Sequence, residues 1–294
     1  MFYKKKLILY RYTDPYMFQV AILHGTSKTD LDSYLKPIVQ ELQHLSTKGM
    51  IVQKNSEVVA RARVVPLMVT GDIPGVAKIL HHTGHASYYG CRFCTTRGSP
   101  GANGRGMYFE KRNCPLRTKE SLTPNAETVE ANFKRNDNPD NITMANVFFN
   151  TWSFLGVEFF GLDEMHLISN VAKQLYNLLT TSNNSKFCPP SCLSKDYPFN
   201  LDNSDFTVIQ KSMDESRCNI PLAFSGCFKG INEKSTNGYR SVDWLDFLMY
   251  AVPTLVVPLL HSKSTQDAVS ALVRACGVAL QWEITEDELQ EMNR

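Results

Sequence analysis

The sequence predicts an α/β chain, and three stretches carry that expectation. Leu31, Leu35, Ile38, Val39, Leu42 and Leu45 recur at helical spacing. Val64-Val65-Pro66-Leu67-Met68-Val69 is apolar on both faces and stops at Gly71-Asp72, the pattern of a buried central strand with an acid at its C-terminal end. Met165, Leu167, Ile168, Val171, Leu175, Leu178 and Leu179 define a second amphipathic helix from Leu162 to about Thr181.

The remaining elements follow in order. Phe18 to Leu23 is a strand-length apolar run ended by Gly25. After Gly49, Met50 to Val52 and Val58 to Thr70 read as strands, with Pro66 at a bulge or near a strand start because proline lacks a ladder donor. Pro74 opens a helix whose apolar face is Val76, Ile79 and Leu80 and which Gly84 ends. From Gly90 to Asp140 the chain is rich in Gly, Pro, Asn, Arg and Lys without periodicity, a loop-dominated module held by something other than a core. Ser182 to Asn219 is again loop-like. Ser241 to Leu260, Gln266 to Trp282 and Thr285 to Met292 read as helices, and no internal repeat emerges.

Composition narrows the function classes. With 43% apolar and 20% charged residues among 294, the chain can bury a real core and is neither disordered nor fibrous. Thirty-one Lys and Arg stand against 29 Asp and Glu, so no global field marks a polyanion binder and any nucleic-acid contact must be local. The best candidate for a membrane span, Ala251 to Leu260, is shorter than the roughly 20 residues required and carries Pro253 and Pro258, so no membrane association is expected. Met1 to Tyr10 is basic and then briefly apolar, but Arg11 and Asp14 follow with no small-residue cleavage site, so a secretory signal is not expected. Eight cysteines are too few for a disulfide scaffold in a chain of this length.

Four groups of residues could carry chemistry. Cys91-Arg92-Phe93-Cys94, preceded by His81, His82 and His85, offers two thiolates that can grip one Zn²⁺, with an imidazole or Cys114 completing the set; two free thiols are the alternative. Asp72 sits where strand-end side chains project into a ligand crevice, or else it caps the helix begun by Pro74. Asp163 and His166 share one helical face and can hold a metal, orient a catalytic group, or form a helix-terminal acid beside a satisfied histidine. Arg92, Arg97, Arg105, Lys111, Arg112, Arg117 and Lys119 lie within one stretch against Glu110 alone, interleaved with Tyr108 and Phe109. That loop either meets a phosphate backbone or is simply solvated.

Taken in order, Gly71-Asp72-Ile73-Pro74, His85 with Gly90-Cys91-Arg92-Phe93-Cys94, and Asp163-Glu164-Met165-His166 with Asn170-Val171 resemble the transposase of CACTA-type (En/Spm) DNA transposons. The Leu31 to Leu45 helix resembles the one preceding the Gly-Asp-x-Pro strand in that family, and the similarity runs from about Leu31 to the C-terminus. The resemblance implies a ribonuclease-H-like mixed sheet with helices, a zinc-bearing loop insertion and a helical C-terminal part. It implies three carboxylates holding two Mg²⁺ ions that activate a water or a 3′-hydroxyl for attack on a DNA phosphodiester. Asp72 would be the second catalytic acid and Asp243, at the start of a later helix, the third, standing where the family has Glu. Cys91, Cys94, His85, His166 and Asp163 would be metal ligands, and the partners would be transposon ends, read in the nucleus by a homo-oligomer.

The family's first acid lies in an Asp-Gly context upstream of Leu31. The sequence has no such motif there, and Asp14 before Pro15 is a poor substitute. The implied organisation is residues 1–90 as the first part of the ribonuclease-H-like core, 91–160 as the basic Cys-x-x-Cys insertion, 161–181 as the Asp-x-x-His helix, 182–240 as a loop-rich insertion and 241–294 as the C-terminal helices. The expectation is a transposase-derived nuclease or strand-transferase domain, truncated and without its first acid. A non-catalytic zinc module binding DNA or protein, or a small zinc protein with no nucleic-acid role, are the alternatives.

Overall fold

A computed structural model describes residues 17–22, 30–101, 106–110, 113–123, 141–180, 197–221, 230–231 and 238–292. Among these the chain is mixed α/β, with seven α-helices and two small antiparallel two-stranded sheets.

Helix α1 spans Leu31–Thr47, begun by Asp30, whose carboxylate accepts from the Asp32 and Ser33 amides. Strands β1 (Met50–Lys54) and β2 (Glu57–Ala62) form a hairpin whose turn residues Asn55 and Ser56 both take positive φ, as a tight two-residue turn requires. Helix α2, Ile73–Leu80, tolerates Pro74 because first-turn amides have no helical partner. It ends earlier than Gly84, at His81, which adopts φ 56°. The His81 ring then reaches Asp32 at 2.8 Å and ties the end of α2 to the start of α1.

The Val64 to Met68 stretch departs from the expected buried strand. It joins no ladder among the described residues; Leu67 is 83% exposed and Met68 43%. Val69 alone pairs, in parallel, with Phe160. An apolar run is equally compatible with a sheet interior and with a surface awaiting a partner, so composition alone could not separate them.

Short strands β3 (Ser99–Pro100) and β4 (Met107–Tyr108) pair within the loop-rich module. That module shares a core with what precedes it. Leu122, Ile142, Phe148, Phe154, Val157, Phe159 and Phe160 form one apolar cluster with Val39, Val76 and Leu80. Phe154, Phe159 and Phe160 meet edge to face with centroids 5.5 to 5.9 Å apart.

A second cluster is helical. Helix α3 (Glu164–Leu179) buries Ile168, Ala172, Leu175, Tyr176 and Leu179 on one stripe. Helix α4 (Asn203–Ser216) adds Ile209 and Met213, and it replaces part of the loop expected between Ser182 and Asn219. A continuous helical run begins with α5 (Ser241–Asp246), widens to a π-helix over Phe247–Val256 and closes with a 3₁₀ turn at Val257–Leu259. By length and composition this run could cross a membrane. Its Trp244, Phe247, Leu248, Ala251, Val252 and Val256 are buried in the same cluster as α3 and as α6 (Lys263–Ala279). Helix α7 (Glu286–Met292) follows with no buried residue.

Phe160 lies 1% exposed at the centre of the first cluster and also carries the parallel pairing. Phe160→Ala is expected to cost about 3–5 kcal/mol in urea denaturation, the range for a buried aromatic truncated to a methyl.

Candidate functional site

The Val69–Phe160 pairing organises the site. The Val69 amide donates to the Phe159 carbonyl at 2.8 Å and the Gly161 amide to the Val69 carbonyl at 2.9 Å. Because the two segments run in the same direction, both leave the pairing at the same end. Three residues beyond Val69 stands Asp72, and three beyond Phe160 stands Asp163; each caps the helix that follows. This is where parallel-strand folds place ligand-binding side chains.

Each carboxylate has a local task. Asp72 is exposed, and its Oδ1 accepts from the Gly75 amide at 2.6 Å, as a cap does. Asp163 Oδ1 accepts from the His166 amide at 3.2 Å, while its Oδ2 meets His166 Nδ1. Burial works to raise the Asp163 carboxyl, but the hydrogen bonds from His166 outweigh it and hold the group below the usual aspartate range. His166 is thereby oriented, with Nε2 as the ring nitrogen that Asp163 does not engage.

The cationic loop divides. Arg92 and Arg117 are buried, at 8% and 2% exposure. Arg92 Nη2 donates to the Gly161 carbonyl at 2.7 Å, which clamps the Cys-x-x-Cys loop onto the paired segment. Arg117 donates from Nε to the Cys91 carbonyl at 3.0 Å and from Nη2 to the Tyr89 carbonyl at 3.1 Å. These two cations therefore serve the loop's interior and do not offer a phosphate-facing surface. Irregular backbone leaves carbonyls that need donors, and a charge count cannot see that demand. Arg97 is exposed with its guanidinium 4.9 Å from the Tyr88 ring, and Lys119 lies over Phe154 at 5.7 Å. Arg105, Lys111 and Arg112 lie outside the described residues.

Cys91 and Cys94 are half-buried free thiols, and Cys94 hydrogen-bonds Cys91. The bridge between Cys94 and Leu116, with the Thr95 amide donating to the Pro115 carbonyl at 3.0 Å, brings Cys114 alongside. Burial pushes the Cys94 thiol up, opposed by the Thr96 backbone and reinforced by Cys91 and Cys114. Gly90 leaves no room for a side chain here, since a Cβ would stand 2.9 Å from the His85 backbone. His85 itself is exposed. Among the described residues no three His, Cys, Asp or Glu side chains form a group that could hold a metal ion, so the cysteines, His85, Asp163 and His166 are not drawn into one ligand set.

Asp243 sits elsewhere, inside the helical cluster, with its side chain 1% exposed. Its Oδ2 accepts from the Arg240 amide at 2.8 Å and from Nε at 3.2 Å, and its Oδ1 from Nη2 at 3.3 Å. The expected third acid is therefore a buried, ion-paired cap for α5. Its neighbour Asp246 is pushed up by burial and then by the Asp243 charge, with Arg240 opposing.

Of the imidazoles that precede the cysteine pair, His82 is buried. The Gly84 amide donates to its Nδ1 at 3.0 Å, which places the neutral ring's proton on Nε2. Burial lowers its pKa to about 4, the Arg117 charge adds to this, and the Tyr89 backbone partly opposes it. Below about pH 6.5 the unfolded chain binds a proton here that the folded chain refuses until about pH 4. Stability is thus complete above the unfolded value and falls as pH drops between the two. The expected loss is on the order of 3 kcal/mol across that window. His82→Asn, which keeps an acceptor for Gly84, should flatten this part of the acid limb in denaturation measured from pH 7 to 4.

Compared with known proteins, the chain matches no family model, no curated protein and no solved structure.

Proposed function

We propose that this chain is a transposase-derived nuclease or strand-transferase domain acting on DNA phosphodiesters with divalent cations, built on a ribonuclease-H-like core and working in the nucleus. The observation that carries the reading is the parallel Val69–Phe160 pairing, from one end of which two helices start, each capped by an aspartate, Asp72 and Asp163. The resemblance of those motifs to CACTA-type transposases supports it independently.

The residues fit Mg²⁺ unevenly. Asp72 is exposed and commits one oxygen to its cap, which leaves Oδ2 as a hard donor. Mg²⁺ retains several waters and asks few protein oxygens. Asp163 is spent on His166, so its part is to hold the imidazole with Nε2 outward, as the acid behind a metal-binding histidine does. Asp243 does not fit, because its side chain is 1% exposed and both of its oxygens are already taken by Arg240. When bound, the divalent cations would supply an activated water or 3′-hydroxyl and a stabilised leaving oxygen. The chain's own residues bind and orient: Asp72 anchors, His166 positions, and the Arg92 clamp fixes the edge from which both work.

The thiols of Cys91 and Cys94 are a soft donor pair suited to Zn²⁺, half of the four ligands such an ion takes. Capture of the ion would deprotonate them against the raised Cys94 pKa and release protons. One finding favours the second reading, a non-catalytic zinc module binding DNA or protein: Asp72, Asp163 and Asp243 all act as helix caps.

End-labelled duplex DNA incubated with the protein and Mg²⁺ or Mn²⁺ separates the two. Nicking should appear and fall about a hundredfold or more in Asp72→Asn, since displaced ligands cost that much in phosphoryl transfer. Metal-independent or Asp72-independent nicking, or none, rejects the enzymatic reading.

A further inference from the structure

The β1–β2 hairpin exposes every one of its eleven residues. Ile51, Val58 and Val59 are 53%, 48% and 56% accessible, an unusual display for β-branched side chains in a folded chain. Two-stranded hairpins are marginal by themselves, and this one is held at its base. The Gly49 and Val64 amides both reach the Leu45 carbonyl at the end of α1, at 3.1 and 3.4 Å. Gly49 takes φ 77° there, and a Cβ would come within 2.8 Å of the Ala62 carbonyl oxygen. The base is fixed while both faces stand clear.

Four cations decorate the ribbon: Lys48 and Arg63 at the base, Arg61 one rung above it and Lys54 at the tip. All four are exposed, and none of their side chains is ion-paired or hydrogen-bonded among the described residues. Glu57 is the lone carboxylate. The register puts Ile51 opposite Arg61 and Gln53 opposite Val58 on one face, with the polar turn Asn55-Ser56 at the end. The other face carries Ala60 and Ala62 beside Val52 and Met50, with Lys54 opposite Glu57 at the tip. The extra residue on β2 next to the Val52–Gln53 step makes a bulge, which strengthens right-handed twist and disrupts the edge. A bulged edge carrying charge discourages strand addition by a second copy.

We propose that the β1–β2 ribbon lies in the major groove of duplex DNA. It rests on the DNA reading above and names the surface that would meet the duplex. A strand of this length spans roughly 17–20 Å. Two strands about 4.8 Å apart, with their side chains, match a groove about 12 Å wide. Cations at the tip and near the base would reach phosphates at both ends of it. Gln53 offers the paired donor and acceptor that reads adenine, and Ile51 and Val58 offer apolar contact for thymine methyls. The deep, narrow major groove of A-form RNA would not admit the ribbon.

The test is fluorescence anisotropy of the 294-residue chain on a mixed-sequence DNA duplex across a salt series, with dimethyl sulfate probing of guanine N7, which lies in the major groove. Lys54→Glu/Arg61→Glu should weaken binding at least about tenfold, flatten the log–log salt slope by about two and abolish N7 protection. Lys211→Glu/Arg274→Glu, exposed side chains on α4 and α6, should stay within about twofold of the parent. Parent-like binding by the hairpin variant overturns the ribbon and leaves the DNA reading standing. Equal affinity for an RNA duplex also overturns it, as does a loss of binding that tracks a dimer-to-monomer change in sedimentation. No duplex affinity in the parent protein sinks both.

Discussion

Two backbone hydrogen bonds and one guanidinium hold the candidate site together. The Val69–Phe160 pairing aligns two chain segments some ninety residues apart in sequence, and Arg92 locks the intervening loop onto it through the Gly161 carbonyl. Each neutral bond is worth about 0.5–1.5 kcal/mol net, and the charged one about 1.5–3. Their consequence exceeds that energy, because they decide that α2 and α3 begin from one edge. Behind them the Phe154, Phe159 and Phe160 rings exclude water and keep the pairing short.

The helical half is stabilised differently. Its apolar stripes interlock around Leu175, Ile209, Leu248 and Val273, and the polar groups it buries are tied locally, as Asp243 is to Arg240. Pro253 lies within a π-helical stretch, where a proline's missing amide breaks the ordinary α ladder in any case. Asp246 remains an expensive feature of that interior, since one of its oxygens is buried without a partner among the described residues.

Periodicity made the helices at Leu31, Leu162 and 241–292 legible, because an amphipathic stripe is written directly in residue spacing. Helix α4 was missed although Phe206, Ile209 and Met213 carry the spacing and Asp202 with Asp205 forms a capping box; the polar residues between them masked so narrow a stripe. Of the site, the spacing of Asp72 and Pro74 and of Asp163 and His166 foretold two capped helix starts. It could not foretell that the segments before them pair, which is a long-range contact with no local signature. The seven cations of the loop read alike in sequence, yet Arg92 and Arg117 are interior supports while Arg97 is not. Burial of a charge depends on which carbonyls the loop leaves unsatisfied, and composition does not encode that.

The proposed function requires Asp72 and Asp163 to belong to one cation-binding edge. Replacing Mg²⁺ with Fe²⁺ and adding ascorbate and peroxide cuts a polypeptide close to wherever the metal sits. Cuts clustered near both Asp72 and Asp163, suppressed by excess Mg²⁺ and lost in Asp72→Asn, are the predicted pattern. Scission confined to the cysteine loop, or scattered without preference, would contradict it.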